Sequence, residues 1–459
     1  MHKRTYAAFV AAVIGMLTFT SLPASAAGEY RTIISFGAES PAARAKALAD
    51  PEIVTGGSSE FLADKPNAQQ ALQDYIKGPK PAKQVSQAHE LLQQPAEVSA
   101  AADAITPSPV SVNDCRAKFG EEPGAPKYWY RDRFNSCMGA SIEIKNVYCP
   151  SPTTCINMGA VTYRLIIVGH GTRGVTPEGY RVMSFQWFTD NGDTYGGNPP
   201  PMYESIYNGL NCKTFSVNRC GFDRAYGMAT VAELHAGWTS DVLTMTERNT
   251  LNDPTNNPDD KMYYELNYTI RGGMGQIDGP VQKLRSDRAD YVNKGGFVFF
   301  DQESWIEFTY GKGMDEQVRH IDDAQNRIAS TKPGDPLTKT AGGRNSGHAL
   351  TRMSPKYEKQ RYDRNNYVAL LTCKQHWGED YATNDPSGPR ECDEYPFRST
   401  YEGAAWTEYD GGVGIWSYSG RPIAASHNSA GGNALSLFYL KDNIVHGDQF
   451  WVEVKGADD

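Results

Sequence analysis

Cys392-Asp393-Glu394-Tyr395-Pro396-Phe397-Arg398-Ser399-Thr400-Tyr401-Glu402-Gly403-Ala404 is the most informative stretch of this 459-residue sequence. Two adjacent acids precede an aromatic-Pro pair, and a third acid, Glu402, follows eight residues after Glu394. Pro396 is expected in the first turn of a helix, where its missing N–H does no harm. Glu402 would then lie about two turns on, near the face of Glu394 or Tyr395. Clustered carboxylates repel one another, so such a group implies a neutralising cation or a member with a shifted pKa. Oxygen ligands of this kind suit Mg²⁺ or Mn²⁺ and not Zn²⁺. The structural alternative is that Asp393 and Glu394 cap a helix N-terminus, where the macrodipole favours negative charge.

A second block, Ser426-His427-Asn428-Ser429-Ala430-Gly431-Gly432-Asn433, is small, polar and glycine-rich and leads towards Leu435, Leu437, Phe438 and Tyr439. Asn side chains are neutral donors to a hard metal, and glycines let backbone approach a phosphate. Carboxylate and amide ligands plus one free carboxylate form a kit for metal-assisted phosphodiester hydrolysis. Upstream, Arg344, Arg352, Lys356, Lys359, Arg361 and Arg364 outnumber Glu358 and Asp363 and interleave with Tyr357 and Tyr362. Lys359, Arg361 and Arg364, with Arg398, are the expected phosphate contacts; an ordinary solvated helix face is the alternative. His427 and His348 are alternative general bases, each equally readable as a loop or surface residue.

The segments CDEYPF, STYEGA and SHNSAGG, followed by Ile444-Val445-His446-Gly447-Asp448-Gln449-Phe450-Trp451-Val452, together resemble the NucA/NucB-type deoxyribonucleases. The resemblance covers Arg344 to Val454, about a quarter of the chain. It implies a ββα-metal architecture and non-specific endonucleolytic cleavage of DNA with a divalent metal. It also implies that Asp393 replaces the His general base of other ββα-metal nucleases, with Glu394 as the alternative holder. Glu402 and Asn428 are implied as metal ligands. Arg398 stands where family members often carry a small residue.

A length of 459 residues implies two or three folded units. The 39% apolar content is enough for a core, and 26 Tyr with 44 Gly point to turn-rich β structure. A net charge of -9 argues against stable wrapping by DNA, but allows an enzyme that holds its substrate at one metal-bound phosphate. His2-Lys3-Arg4, the apolar run Tyr6–Leu22, Pro23 and Ala24-Ser25-Ala26 read as a secretory signal peptide over residues 1–26. A transmembrane anchor is the alternative. After cleavage the protein is expected to be secreted, with no membrane contact. The eight cysteines then imply four disulfides. Zinc is disfavoured, because no CxxC pair occurs. Cys373 and Cys392 are expected to pair; the order among Cys115, Cys137, Cys149, Cys155, Cys212 and Cys220 stays open.

The expected domains are a low-complexity or helical propeptide or linker over 27–112, a β-rich, sandwich-like, disulfide-stapled domain over 113–312, and an α+β nuclease domain over 313–459. In the last, Met314 to Ser330 has helical spacing. The leading reading is a secreted endodeoxyribonuclease. The others are a nuclease toxin delivered by the β-rich domain and opposed by an immunity protein, and a non-catalytic polysaccharide- or surface-binding protein using Trp129, Trp187 and Trp238.

Overall fold

The computed structural model describes residues 29–37, 53–55 and 108–456, apart from 152–153, 175–180, 215–220, 223–225, 248–257, 273–274, 293–294, 335–339, 344–345 and 411–416. The expected signal peptide and most of the 27–112 lead-in lie outside the described residues.

Long alternating strands dominate the first two thirds. β1 (Glu29–Phe36), β2 (Ile53–Thr55), β3 (Lys127–Asp132), β4 (Asn135–Ser151), β5 (Thr154–Gly171) and β6 (Arg181–Tyr195) belong to one antiparallel sheet. A second sheet contains β7 (Ser205–Thr214), β9 (Tyr226–Thr230), β11 (Met262–Gly272), β12 (Gly275–Asp278), β13 (Gln282–Asp287) and β14 (Gly296–Phe299). The short β8 (Gly221–Phe222) and β10 (Leu243–Glu247) extend the first sheet beyond β6. Every second residue points to the same face of a strand. In β6 this buries Met183, Phe185 and Trp187, and in β11 it buries Met262, Tyr264, Leu266, Tyr268 and Ile270. These rows meet in one apolar cluster that both sheets share. Helix α1 (Val112–Phe119) begins with a Ser111 capping box and is tied to β4 by Cys115–Cys137; Cys149–Cys155 links β4 to β5. Trp129 and Trp187 are core residues, which removes them as open platforms for sugar stacking.

Two sequence expectations change. The 27–112 segment is not only a helical lead-in: β1 pairs with β4 from Glu29↔Cys149 to Phe36↔Ile142. Its β-branched run Thr32-Ile33-Ile34 is short, and its partner lies more than a hundred residues away, so local pattern does not reveal it. The boundary at 312 also moves. β15 (Trp305–Thr309) runs parallel to the last strand, β19 (Gln449–Lys455), and belongs with the C-terminal domain.

Among the described residues, the remaining α-helix of the β-rich part is α2 (Val231–Ala236). After β15 come α3 (Asp315–Asn326), β16 (Leu350–Thr351), α4 (Pro355–Trp377), β17 (Arg390–Tyr395), α5 (Trp406–Tyr409), β18 (Ser419–Ala424) and α6 (Ala425–Lys441). The expected helix over 314–330 is present as α3 and a following 3-10 turn. Val318, Ile321 and Ala324 of α3 pack with Phe308, Leu350, Tyr395, Phe438, Phe450 and Val452. Cys373–Cys392 joins α4 to β17.

The two parts meet at a buried ion network. Asp448, just before β19, accepts from Arg285 and, at 3.1 Å, from Arg133 of the β-rich part, with Lys261 at 3.9 Å. Arg285 also donates to Asp287 and to the Asn443 carbonyl, both at 2.9 Å, and Asn443 donates to Asp287 at 2.7 Å. Among the described residues no helix is long and apolar enough to cross a membrane.

Candidate active site

β17 and β18 pair antiparallel, with Asp393 opposite Arg421 and Glu394 opposite Gly420, and α6 follows β18 without a gap. The helix expected at Pro396 does not form. Residues 390–395 are strand, because β18 takes up their backbone groups and Tyr395 anchors in the core against Phe397, ring centroids 5.2 Å apart. Pro396 follows the last strand residue, and residues 397–405 are irregular, with turns on either side of an isolated bridge from Thr400 to Arg352. In a strand neighbours face opposite ways, so Asp393 and Glu394 part company, and Glu402 shares no helical face with either. The SHNSAGG block also differs from expectation, since it is the first half of α6 itself. At Gly431 a Cβ would fall 1.1 Å from Gln317 Oε1 of α3, so any larger residue would force the Gln317 side chain to move.

Asp393 is 4% exposed. Its Oδ1 accepts from Gln317 Nε2 at 3.2 Å, and its Oδ2 lies 2.6 Å from His320 Nδ1. His320 Nε2 in turn lies 2.7 Å from Ser419 Oγ. Glu394, on the other face, accepts from the Arg398 backbone N–H at 3.2 Å. Burial, aided by the neighbouring Asp393 charge, pushes its carboxyl up to about 7. Glu402 accepts from the Thr351 N–H at 2.8 Å, and burial pushes it too up to about 7.

Asn428 donates to Glu391 at 2.8 Å on the exposed start of α6, so it and Glu402 have separate partners. His427 Nδ1 accepts from the Glu316 N–H at 3.3 Å, and His348 is exposed just before β16. Among the described residues no three His, Cys, Asp or Glu side chains gather around one point. The donor atoms of Glu402 and Asn428 have the chemistry of a hard-cation site, and each is bonded to a protein partner.

The basic residues separate by burial. Arg361 is not a phosphate contact: it is fully buried and bonded to Asp410 and the Tyr401 carbonyl. Arg364 makes a two-pronged bond to Glu408 at 2.7 and 2.8 Å, and exposed Lys359 pairs with Asp363 at 2.9 Å. Arg398 stacks its guanidinium 4.2 Å over the Tyr362 ring and lends positive charge beside Glu394. Asn365 of α4 bonds to the Arg398 and Thr400 carbonyls at 3.0 and 3.1 Å and to the Ala405 N–H at 2.9 Å. It thereby fixes the turn that carries Arg398 and Glu402. Sequence reasoning missed Asn365, Gln317, His320 and Ser419. The available signal was a histidine among the apolar positions of the 314–330 helical pattern.

Residues 338–453 match the family model of deoxyribonuclease NucA/NucB. The chain carries a NucA/NucB domain. This agrees with the resemblance read from residues 344–454. No curated protein and no solved structure matches the chain. The NucA/NucB domain takes in α4, β17, β18, α6 and most of β19, whereas α3, with Gln317 and His320, lies upstream of it.

Proposed function

We propose that this protein is an exported endodeoxyribonuclease of ββα-metal type that hydrolyses DNA phosphodiester bonds. The match of residues 338–453 to the NucA/NucB family carries the reading, because the acids of β17 fall inside that segment. Asp393 is the proposed proton acceptor. It takes one proton from water, that water's oxygen bonds to phosphorus, and the bond from phosphorus to the leaving sugar oxygen breaks, the leaving oxygen taking a proton from solvent. Oδ1 is the oxygen offered to water, since its bond to the Gln317 amide is the longer and weaker of the two. Arg398, whose charge lies beside Glu394, is the proposed phosphate contact.

A requirement for Mg²⁺ or Mn²⁺ is part of the proposal. What supports it is the pair of buried carboxyls, Glu394 and Glu402, whose charged forms burial disfavours and a cation would restore. A divalent ion would supply charge neutralisation at the scissile phosphate. Glu402 and Asn428 are the residues proposed to hold it.

Plasmid nicking with Mg²⁺, Mn²⁺ or EDTA tests the reading. Supercoiled DNA should turn to nicked and then linear form with metal and stay intact in EDTA. Plasmid left intact under every divalent salt refutes it.

A further inference from the structure

We propose that His320 is a positioning residue for Asp393, so that the working site of this chain begins upstream of the NucA/NucB segment. The inference rests on the reading of Asp393 as the proton acceptor.

Asp393, His320 and Ser419 form a row: Oδ2 to Nδ1 at 2.6 Å, then Nε2 to Oγ at 2.7 Å. As a carboxylate Asp393 can only accept, so Nδ1 carries the hydrogen, and Nε2 is left to accept from the Ser419 hydroxyl. His320 and Ser419 are both fully buried. Each end of the row is held by a rigid element. α3 is pinned into the core by Val318, Ile321 and Ala324, and Ser419 is paired with Tyr395 in the β17–β18 ladder. The imidazole plane therefore sets the rotation of the Asp393 carboxyl group and leaves Oδ1 as the oxygen free to change partner.

Two other readings of the row fail on geometry. A serine nucleophile is excluded by the burial of Ser419, whose oxygen no substrate could reach. A removable latch is disfavoured, because lifting α3 would tear three side chains out of the apolar cluster. What remains is orientation, which is where misplacement by about 1 Å costs ~100-fold in rate.

The test uses the full-length chain in a plasmid-nicking assay with Mn²⁺. His320→Leu should lower kcat by at least ~10-fold with KM for DNA unchanged, since the substrate-binding surface is untouched. His320→Asn keeps an N–H donor where Nδ1–H stands and should recover kcat to within about threefold of wild type. Ser419→Ala should lower kcat in the wild-type chain but have no further effect in His320→Asn, whose amide does not extend to Ser419. Should His320→Leu fail to fold, the Asn and Ser419 variants still decide. An unchanged or raised kcat in His320→Leu overturns the positioning role, as does an additive effect of Ser419→Ala in the Asn background. Asp393→Asn separates the two levels. If it is inactive while His320→Leu is fully active, this inference alone falls; if it is fully active, the reading of Asp393 falls and takes this one with it.

Discussion

Replacing Asp448 by Asn should uncouple the two parts of the molecule. The substitution keeps the shape of the side chain, removes its charge and turns one acceptor oxygen into an N–H donor. Burial raises the Asp448 carboxyl, but Arg285, Arg133 and Lys261 outweigh it and hold the group well below the usual carboxylate range. Arg285 and Arg133 are 0% and 3% exposed, so neither can turn to water when the anion goes. Breaking a buried pair by removing one partner costs roughly 3–5 kcal/mol, and here two arginines lose the same anion. Asp287 stays beside Arg285 and offsets part of that loss. Denaturant unfolding followed by circular dichroism and calorimetry should show a loss within that range. It should also show the NucA/NucB domain melting ahead of the β-rich part instead of together with it. Arg133→Met added to Asp448→Asn should recover part of the loss, since one uncompensated charge is gone and the Arg285–Asp287 pair is kept. For a depressed carboxyl the contribution is present above the unfolded pKa and lost as pH falls through the folded one, so wild type should lose this coupling in acid below about pH 4. A loss under about 1 kcal/mol in Asp448→Asn, with a single unaltered transition, would refute the reasoning.

Glu394 and Glu402, both raised to about 7, carry the opposite sign. Their folded forms keep protons that the unfolded chain releases, so metal-free stability should fall between about pH 4.5 and 7, by up to roughly 3 kcal/mol per group. Melting curves across that range check it, and Mn²⁺ should raise the melting temperature most at pH 8. Arg361→Ala should cost roughly 3–5 kcal/mol in stability through its buried pair with Asp410. Arg398→Ala should instead weaken DNA binding and flatten its salt dependence with little loss of stability, measured by fluorescence anisotropy at several salt concentrations. Gly431→Ala should displace Gln317 from Asp393 and lower kcat, even though Ala favours a helix over Gly by ~1 kcal/mol.

The sequence alone carries the family of the C-terminal domain, in the order CDEYPF, STYEGA, SHNSAGG and the Gly447-Asp448-Gln449-Phe450 ending. It also determined the β-rich character of the middle, from alternation in runs such as Tyr263–Ile270, and the helix near 315–326, from its apolar spacing. Such features repeat within a dozen residues, so they are visible without knowing what each segment touches. Tertiary structure alone decided the rest. The acids after Cys392 are strand and not helix because β18 lies beside them, and that pairing sends Asp393 and Glu394 to opposite faces. Arg361 looked like a phosphate contact until Asp410, 49 residues on, turned out to hold it in the interior. His320 meets Asp393 across 73 residues, and Asp448 meets Arg285 across 163. Contacts over such distances are fixed by how elements pack, and no local pattern of residues encodes them.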